Sequence, residues 1–211
     1  MPNKLSELAL TIVTDDELRL QQILEQRRNP AADKNLLDEK IWDLFGEEWS
    51  IMMTDLVGFS RSTESYGIIH FLNSIYVSRT LFKPIVDKCN GWLLQEHADN
   101  LMAVFRRPER SLECAVAVQE ASKEYNNDRA PEEHIIVCIG LGHGEMLRVG
   151  KSNVFGQQVN AASKLGEDIA EGGEILITHR FKEAIGENSN LECEELGQVH
   201  PSLINSYRLK Y

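Results

Sequence analysis

Two helical periods open the chain, and a mixture of strand and helix periods follows from Trp49 onward. Leu18, Leu20, Ile23 and Leu24 recur at helical spacing up to Arg28, with Asp15 and Asp16 placed to cap the segment and Pro30 to end it. Leu36, Leu37, Ile41, Leu44 and Phe45 make a second stripe over residues 33–45, closed by Gly46. Residues 1–48 are therefore expected to be a helical N-terminal extension, and residues 49–211 the main domain. The extension reads as a packing element that covers the domain or its dimer partner rather than as a regulatory pair. In the main domain, 50–54 reads as a buried strand and 62–88 as a helix carrying Ile68, Ile69, Leu72, Ile75, Tyr76 and Leu81, kinked or restarted at Pro84. The turn signal Asn90-Gly91 precedes two strand-like runs, 92–95 and 101–105, which form a hairpin with Asp99 at its tip. A helix opens at Pro108 and runs to about Tyr125, 134–141 is a strand, and 145–149 is expected to return antiparallel beside it. The remainder alternates: helix 156–169, strand 174–178, helix 179–185, then strands 191–196 and 205–209.

The order from residue 50 to 141 is β-α-β-β-α-β, the split βαβ or ferredoxin-like unit, so the fold class is α+β. Its core sheet should carry helices on one face, with a C-terminal α/β extension. In that unit the first strand neighbours the central hairpin, so Asp55 and Asp99 should converge although 44 positions separate them. Two convergent carboxylates suit one or two hard cations with oxygen ligands. The turn after the first strand, Val57-Gly58-Phe59-Ser60, leads toward a helix start, where free N–H groups can donate to phosphate oxygens.

Composition narrows the partners. Apolar content of 42% and charged content of 26% are ordinary for a globular protein. A net charge of −11 argues against nucleic acid or an anionic membrane as partner, but not against a nucleotide bound with its metal ion. No apolar run reaches the length of a membrane span and Met1-Pro-Asn-Lys has no signal-peptide core, so a cytoplasmic protein is expected. Cys89, Cys114, Cys138 and Cys193 are widely spaced and read as reduced thiols. His97 and His143 offer no metal-ligand spacing and read as structural.

Four collinear segments resemble one family, the class III nucleotidyl cyclases. They are Thr54-Asp-Leu-Val-Gly-Phe59, the hairpin from Gly91 to Phe105, Ile139-Gly-Leu-Gly-His-Gly-Glu145, and Val154 to Leu165 with the strand at 174–178. The resemblance implies the class III cyclase fold and a homodimer with its active sites at the interface. It implies that Asp55, Asp99 and the Leu56 carbonyl hold two Mg²⁺ or Mn²⁺ ions, and that Val57, Gly58, Phe59 and Ser60 bind phosphate. From the other subunit, Asn160 would orient the ribose and Lys164 would steady charge on the transferring phosphoryl group. The reaction implied is conversion of a nucleoside triphosphate to its 3′,5′-cyclic monophosphate and pyrophosphate.

The chain departs from the family pattern in places. Lys164 stands where arginine is usual, which keeps the charge but loses the bidentate fork. Ala98 replaces the glycine before the second metal aspartate. Gln198 to Ser206 lacks the usual phosphate-contacting lysine. At the base-reading positions stand Gln95 and Asn153, two amides that each donate and accept and match neither purine code. Adenine and a pyrimidine both remain open. Small standalone bacterial cyclases that make cyclic CMP or cyclic UMP in antiviral defence resemble this architecture. A second function class stays open as well: a cyclase-homology domain that binds nucleotide or protein without turnover.

Overall fold

A computed structural model describes residues 14–58, 66–186, 191–201 and 203–211. Its strands are β1 (Gly46–Leu56), β2 (Trp92–His97), β3 (Asn100–Phe105), β4 (Val137–Val149), β5 (Asn153–Phe155), β6 (Ile175–Thr178), β7 (Cys193–Gly197) and β8 (Ser206–Leu209). The helices are α1 (Asp15–Arg27), α2 (Lys34–Phe45), α3 (Ile68–Lys88), α4 (Pro108–Asn126), α5 (Gln157–Ser163) and α6 (His179–Ile185), and a π-helical turn, Lys164–Ile169, follows α5 directly. The sheet runs β2-β3-β1-β4-β6-β8-β7, with β5 paired to β4 off that path. Its first four strands have the order of a split βαβ unit, as the β-α-β-β-α-β reading requires. No helix among the described residues is long and apolar enough to cross a membrane.

The chain divides into two compact units: 1–47 with 147–154, and 48–146 with 155–211. In the larger unit, alternate residues of the strands face opposite ways. Met52, Leu56, Leu101, Ala103 and Phe105 pack with Phe71, Ile75, Phe82 and Val86 of α3 and with Cys114, Ala115 and Val118 of α4. On β6, Ile175 and Ile177 join that core, whereas Leu176 packs with Ala161, Leu165 and Leu203. Helices α3 and α4 thus cover one face, and α5 with its π-helical turn covers the other.

The smaller unit has its own apolar centre, made by Ile23 of α1, Ile41 and Phe45 of α2, and Val149 at the end of β4, with Leu20, Leu37, Leu44 and Leu147 around it. Thr14 caps α1 in a reciprocal capping box with Glu17. Asp33 caps α2 through the N–H groups of Asn35 and Leu36. Arg27 clasps Asp38 through two bonds, its Nη2 donating at 2.9 Å. Gly46 ends α2 in an extended conformation because a Cβ there would sit 2.5 Å from the Trp42 carbonyl oxygen.

Two expectations are corrected. Residues 145–149 do not return antiparallel; β4 continues through them as one strand, Val137–Val149, and β5 makes the return after Gly150. Two glycines of this long strand are contact positions. A Cβ on Gly140 would lie 2.0 Å from the Ala162 carbonyl oxygen, and one on Gly142 would lie 2.7 Å from that of Gln158. Pro84 does not restart the helix, since α3 is continuous from Ile68 to Lys88 with Pro84 inside it; the 62–65 part of that expected helix lies outside the described residues.

Candidate active site

Asp55 is the penultimate residue of β1, and Asp99 lies in the two-residue turn between β2 and β3. Strands β1 and β3 are antiparallel with Thr54 opposite Leu101, and β2 and β3 close with His97 opposite Asn100. One further step along the first register sets Asp55 level with Asn100, next to Asp99. The two acids are therefore neighbours because of strand pairing, as the order of elements implies.

The electrostatics agree. Burial raises the Asp55 carboxyl, and the charges of Asp99, Glu167 and Asp168 raise it further, to about 7, against the Leu56 N–H that lowers it. A divalent cation beside it would oppose this rise by favouring the charged form. Beside Asp55, the Asn100 Oδ1 is buried and accepts no hydrogen bond from the described residues. A buried acceptor without a donor is costly in water-excluded surroundings and is satisfied by a donor or a cation. The residues present thus fit a divalent metal ion: two carboxylates, an orphan amide oxygen and too little positive charge. Sequence reasoning missed Asn100, Glu167 and Asp168. The first sits next to a singled-out aspartate, and the other two become neighbours of β1 only through packing.

That packing is specific. The Ala170 N–H donates to the Leu165 carbonyl, a five-residue step that widens the helix at its end. Gly166 in this turn lies so near the strands that a Cβ would be 2.9 Å from the Gly140 nitrogen and 3.1 Å from the Met53 carbonyl oxygen. The close approach carries Glu167 and Asp168 toward the end of β1.

The turn after β1 is held by the Val57 N–H, which donates to the Ile136 carbonyl at 2.9 Å. That N–H is committed, so of the expected phosphate-binding turn it is Gly58, at φ 101, that keeps a described backbone amide near the acids. Phe59 and Ser60 lie outside the described residues. The Leu56 side chain is buried, leaving its carbonyl as the group able to meet a ligand.

The hairpin that carries Asp99 is tied to α3. Arg79 donates from Nη2 to the Ala98 carbonyl at 2.9 Å, and Lys83 and Arg79 both pair with Glu96, Lys83 at 2.7 Å. Gln95 is exposed on β2 opposite Met102, just past an irregularity in the β2–β3 register. Asn153 opens β5 in the smaller unit, where its Nδ2 donates to the Glu17 Oε1 at 2.6 Å.

Asn160 and Lys164 are joined by an α-helical bond from the Lys164 N–H to the Asn160 carbonyl, and they share a helix face. Asn160 is exposed in a cavity of about 480 Å³ with Gln157, Gln158, Thr178, Leu203 and Asn205. Lys164 pairs with Asp168 one turn on, a contact that raises its ammonium above the usual value and keeps it charged. His143 is fixed by Ser50 at 2.8 Å and Glu48 at 3.3 Å, near the opposite end of β1. A cavity of about 700 Å³ lined by His143, Glu48, Arg106, Arg107 and Arg180 lies at that end as well. Glu48 is roughly 23 Å along the strand from Asp55, so that cavity is separate from the acids.

Comparison with known proteins gives this arrangement a family. A putative adenylate cyclase of Rhizobium meliloti is 24% identical over 148 residues, 70% of this chain and 25% of that protein. A serine/threonine-protein kinase of Myxococcus xanthus, pkn2, is 27% identical over 129 residues, 61% of this chain and 15% of that protein. The chain therefore spans a quarter or less of the curated relatives it matches. Among solved structures, an adenylate/guanylate cyclase/hydrolase from Silicibacter pomeroyi superposes with a TM-score of 0.67 at 23% identity, covering 79% of this chain and 98% of that one, which establishes a shared fold. The family model described as the adenylate and guanylate cyclase catalytic domain matches residues 46–202. The chain belongs to that family.

Proposed function

We propose that the protein is a homodimeric, metal-dependent nucleotidyl cyclase that converts a nucleoside triphosphate to its 3′,5′-cyclic monophosphate and pyrophosphate. The observation that carries this reading is the meeting of Asp55 with Asp99 at the end of β1, where burial and the charge of Asp99 raise the Asp55 carboxyl to about 7. The family generally uses divalent metals, and Asp55, Asp99, the Leu56 carbonyl and the Asn100 Oδ1 are the groups that would hold them. Bound there, Mg²⁺ or Mn²⁺ would supply charge neutralisation and acidify the attacking hydroxyl.

The remaining roles belong to the chain. The reaction is an in-line attack by the ribose 3′-oxygen on the α-phosphorus, with pyrophosphate leaving. Gly58 and the residues after it offer backbone N–H groups to phosphate oxygens. Asn160 of the opposite protomer orients the ribose, holding the 3′-oxygen in line. Lys164, kept charged, stabilises negative charge on the phosphoryl oxygens once it exchanges Asp168 for substrate. Gln95 and Asn153 read the base. Lysine in place of arginine weakens phosphate binding without abolishing it.

The test is incubation of the chain with ATP, GTP, CTP and UTP in Mn²⁺ and identification of products by mass. A cyclic monophosphate from at least one triphosphate is expected, together with its loss in a folded Asp55→Ala variant. An intact dimer that yields none from any of the four refutes the proposal.

A further inference from the structure

The N-terminal helix reaches one of the base-reading residues. Asn153 donates from Nδ2 to the Glu17 Oε1 at 2.6 Å, across 136 positions of sequence and in partly buried surroundings. Glu17 is itself fixed. Its Oε2 accepts from the Thr14 N–H at 2.7 Å and from the Thr14 hydroxyl at 3.1 Å, the capping box of α1. Thr14 also sits against the turn before β5, where a Cβ on Gly150, at φ +65, would lie 2.8 Å from the Thr14 Oγ1. The start of α1 and the 150–153 turn are thus locked by a shared set of contacts.

This lock has a chemical consequence. A free asparagine amide is ambidextrous, because turning it over exchanges donor for acceptor at little cost. A carboxylate only accepts, so Glu17 obliges Asn153 to present Nδ2 to it and to leave Oδ1 on the other edge of the amide. No described residue donates to that oxygen. On that edge Asn153 can only accept, so a ligand meeting it there must donate. At purine C6 and pyrimidine C4, adenine and cytosine carry a donating amine, while guanine and uracil carry an accepting carbonyl, guanine's own amine lying at C2.

We propose that Glu17 is a specificity-positioning residue that fixes Asn153 as a hydrogen-bond acceptor facing the base at purine C6 or pyrimidine C4, and so selects nucleotides that carry an amine at that position. The proposal rests on the reading of Asn153 as a base contact. Within each ring size, ATP is preferred to GTP and CTP to UTP, since a carbonyl facing Oδ1 leaves two acceptors opposed and unpaired.

Glu17→Gln isolates the effect. Glutamine still completes a capping box, so α1 is kept. Its second terminal atom is a donating nitrogen where glutamate has an oxygen, so it no longer accepts at both the Thr14 and the Asn153 ends. The full chain, wild type and E17Q, is titrated by calorimetry in Mn²⁺ with the 3′-deoxy forms of the four triphosphates, which lack the attacking oxygen and cannot cyclise. In the wild type the adenine or cytosine member of each purine or pyrimidine pair that binds is expected to bind at least about tenfold tighter. In E17Q that ratio should collapse toward unity with the melting temperature little changed. A tighter guanine or uracil form, an unchanged ratio in E17Q, or no binding by any of the four overturns the proposal. Turnover that fails while the binding order holds counts against the cyclase reading alone. Turnover with no base preference counts against Glu17 alone.

Discussion

At the scale of single residues, the hairpin tip stores strain beside the proposed metal site. Ala98 has φ 49, a left-handed conformation that glycine adopts freely and alanine does not. Its carbonyl is the one Arg79 holds, so the turn is fixed in place by α3 rather than by its own preference. Ala98→Gly should therefore stabilise the chain by about 0.5–1 kcal/mol, the relief of left-handed strain offset by glycine's greater freedom when unfolded, as read from a denaturant titration. Asp55 makes the second residue-scale prediction. Its carboxyl in the folded chain is raised from the ordinary range to about 7, so the folded state holds a proton that the unfolded chain has released. The stability this proton contributes is fully present below about pH 4 and is lost as pH rises through about 7. At the proposed metal site, a divalent cation would take the proton's place once Asp55 is deprotonated. The rise in melting temperature on adding Mn²⁺ should accordingly be small near pH 5.5 and several-fold larger near pH 8. Asp55→Asn should abolish that difference. Equal shifts at both pH values would exclude Asp55 as the ligand.

At the scale of elements, the contact between β4 and the helix behind it positions the second half of the site. Gly140 is not at a positive φ; it is glycine because the Ala162 carbonyl would be 2.0 Å from a Cβ and the Gly166 nitrogen 2.6 Å. Gly173 is the opposite case, with φ +86 and no atom within 4 Å of the place a methyl would take. Gly140→Ala should cost roughly 3 kcal/mol or more, the upper part of the range for overpacking, because backbone rather than a side-chain tip must move. Gly173→Ala should cost about 1 kcal/mol, from left-handed strain alone. Thermal melts of the two variants separate steric from conformational reasons for glycine. The same contact explains the π-helical turn: the widened 164–169 segment seats Gly166 against β4 and the Met53 carbonyl, and carries Glu167 and Asp168 toward Asp55.

At the scale of the whole molecule, the proposed composite site makes a prediction that no monomeric enzyme shares. If Asp55 of one protomer works with Asn160 of the other, Asp55→Ala and Asn160→Ala are each inactive alone. Mixed, random pairing makes half the dimers mixed, and each mixed dimer holds one intact site of two. Activity should return to about a quarter of wild type. No recovery after subunit exchange would exclude a shared site. Much of this molecule was legible beforehand. Strand and helix periods located β1, the hairpin and α4, and their order alone brought Asp55 to Asp99, because a split βαβ unit has one strand order. Motifs in chain order carried the family. Other features depended on which surfaces meet. Glycines at 140, 142 and 144 look like turn residues in sequence, and the structure uses the first two as close contacts inside one long strand. Lys164 has its Asp168 partner within reach in sequence, yet Asp168 nears Asp55 only when the π-helical turn docks. Glu17 and Asn153 lie in separate stretches whose patterns say nothing of each other; only the folded smaller unit joins them. The sequence by itself determined the elements, their order and the two acids, since these follow from local periodicity and a small set of allowed topologies. The tertiary structure decided which polar groups hold the site in place, since hydrogen bonds between distant side chains have no period to read.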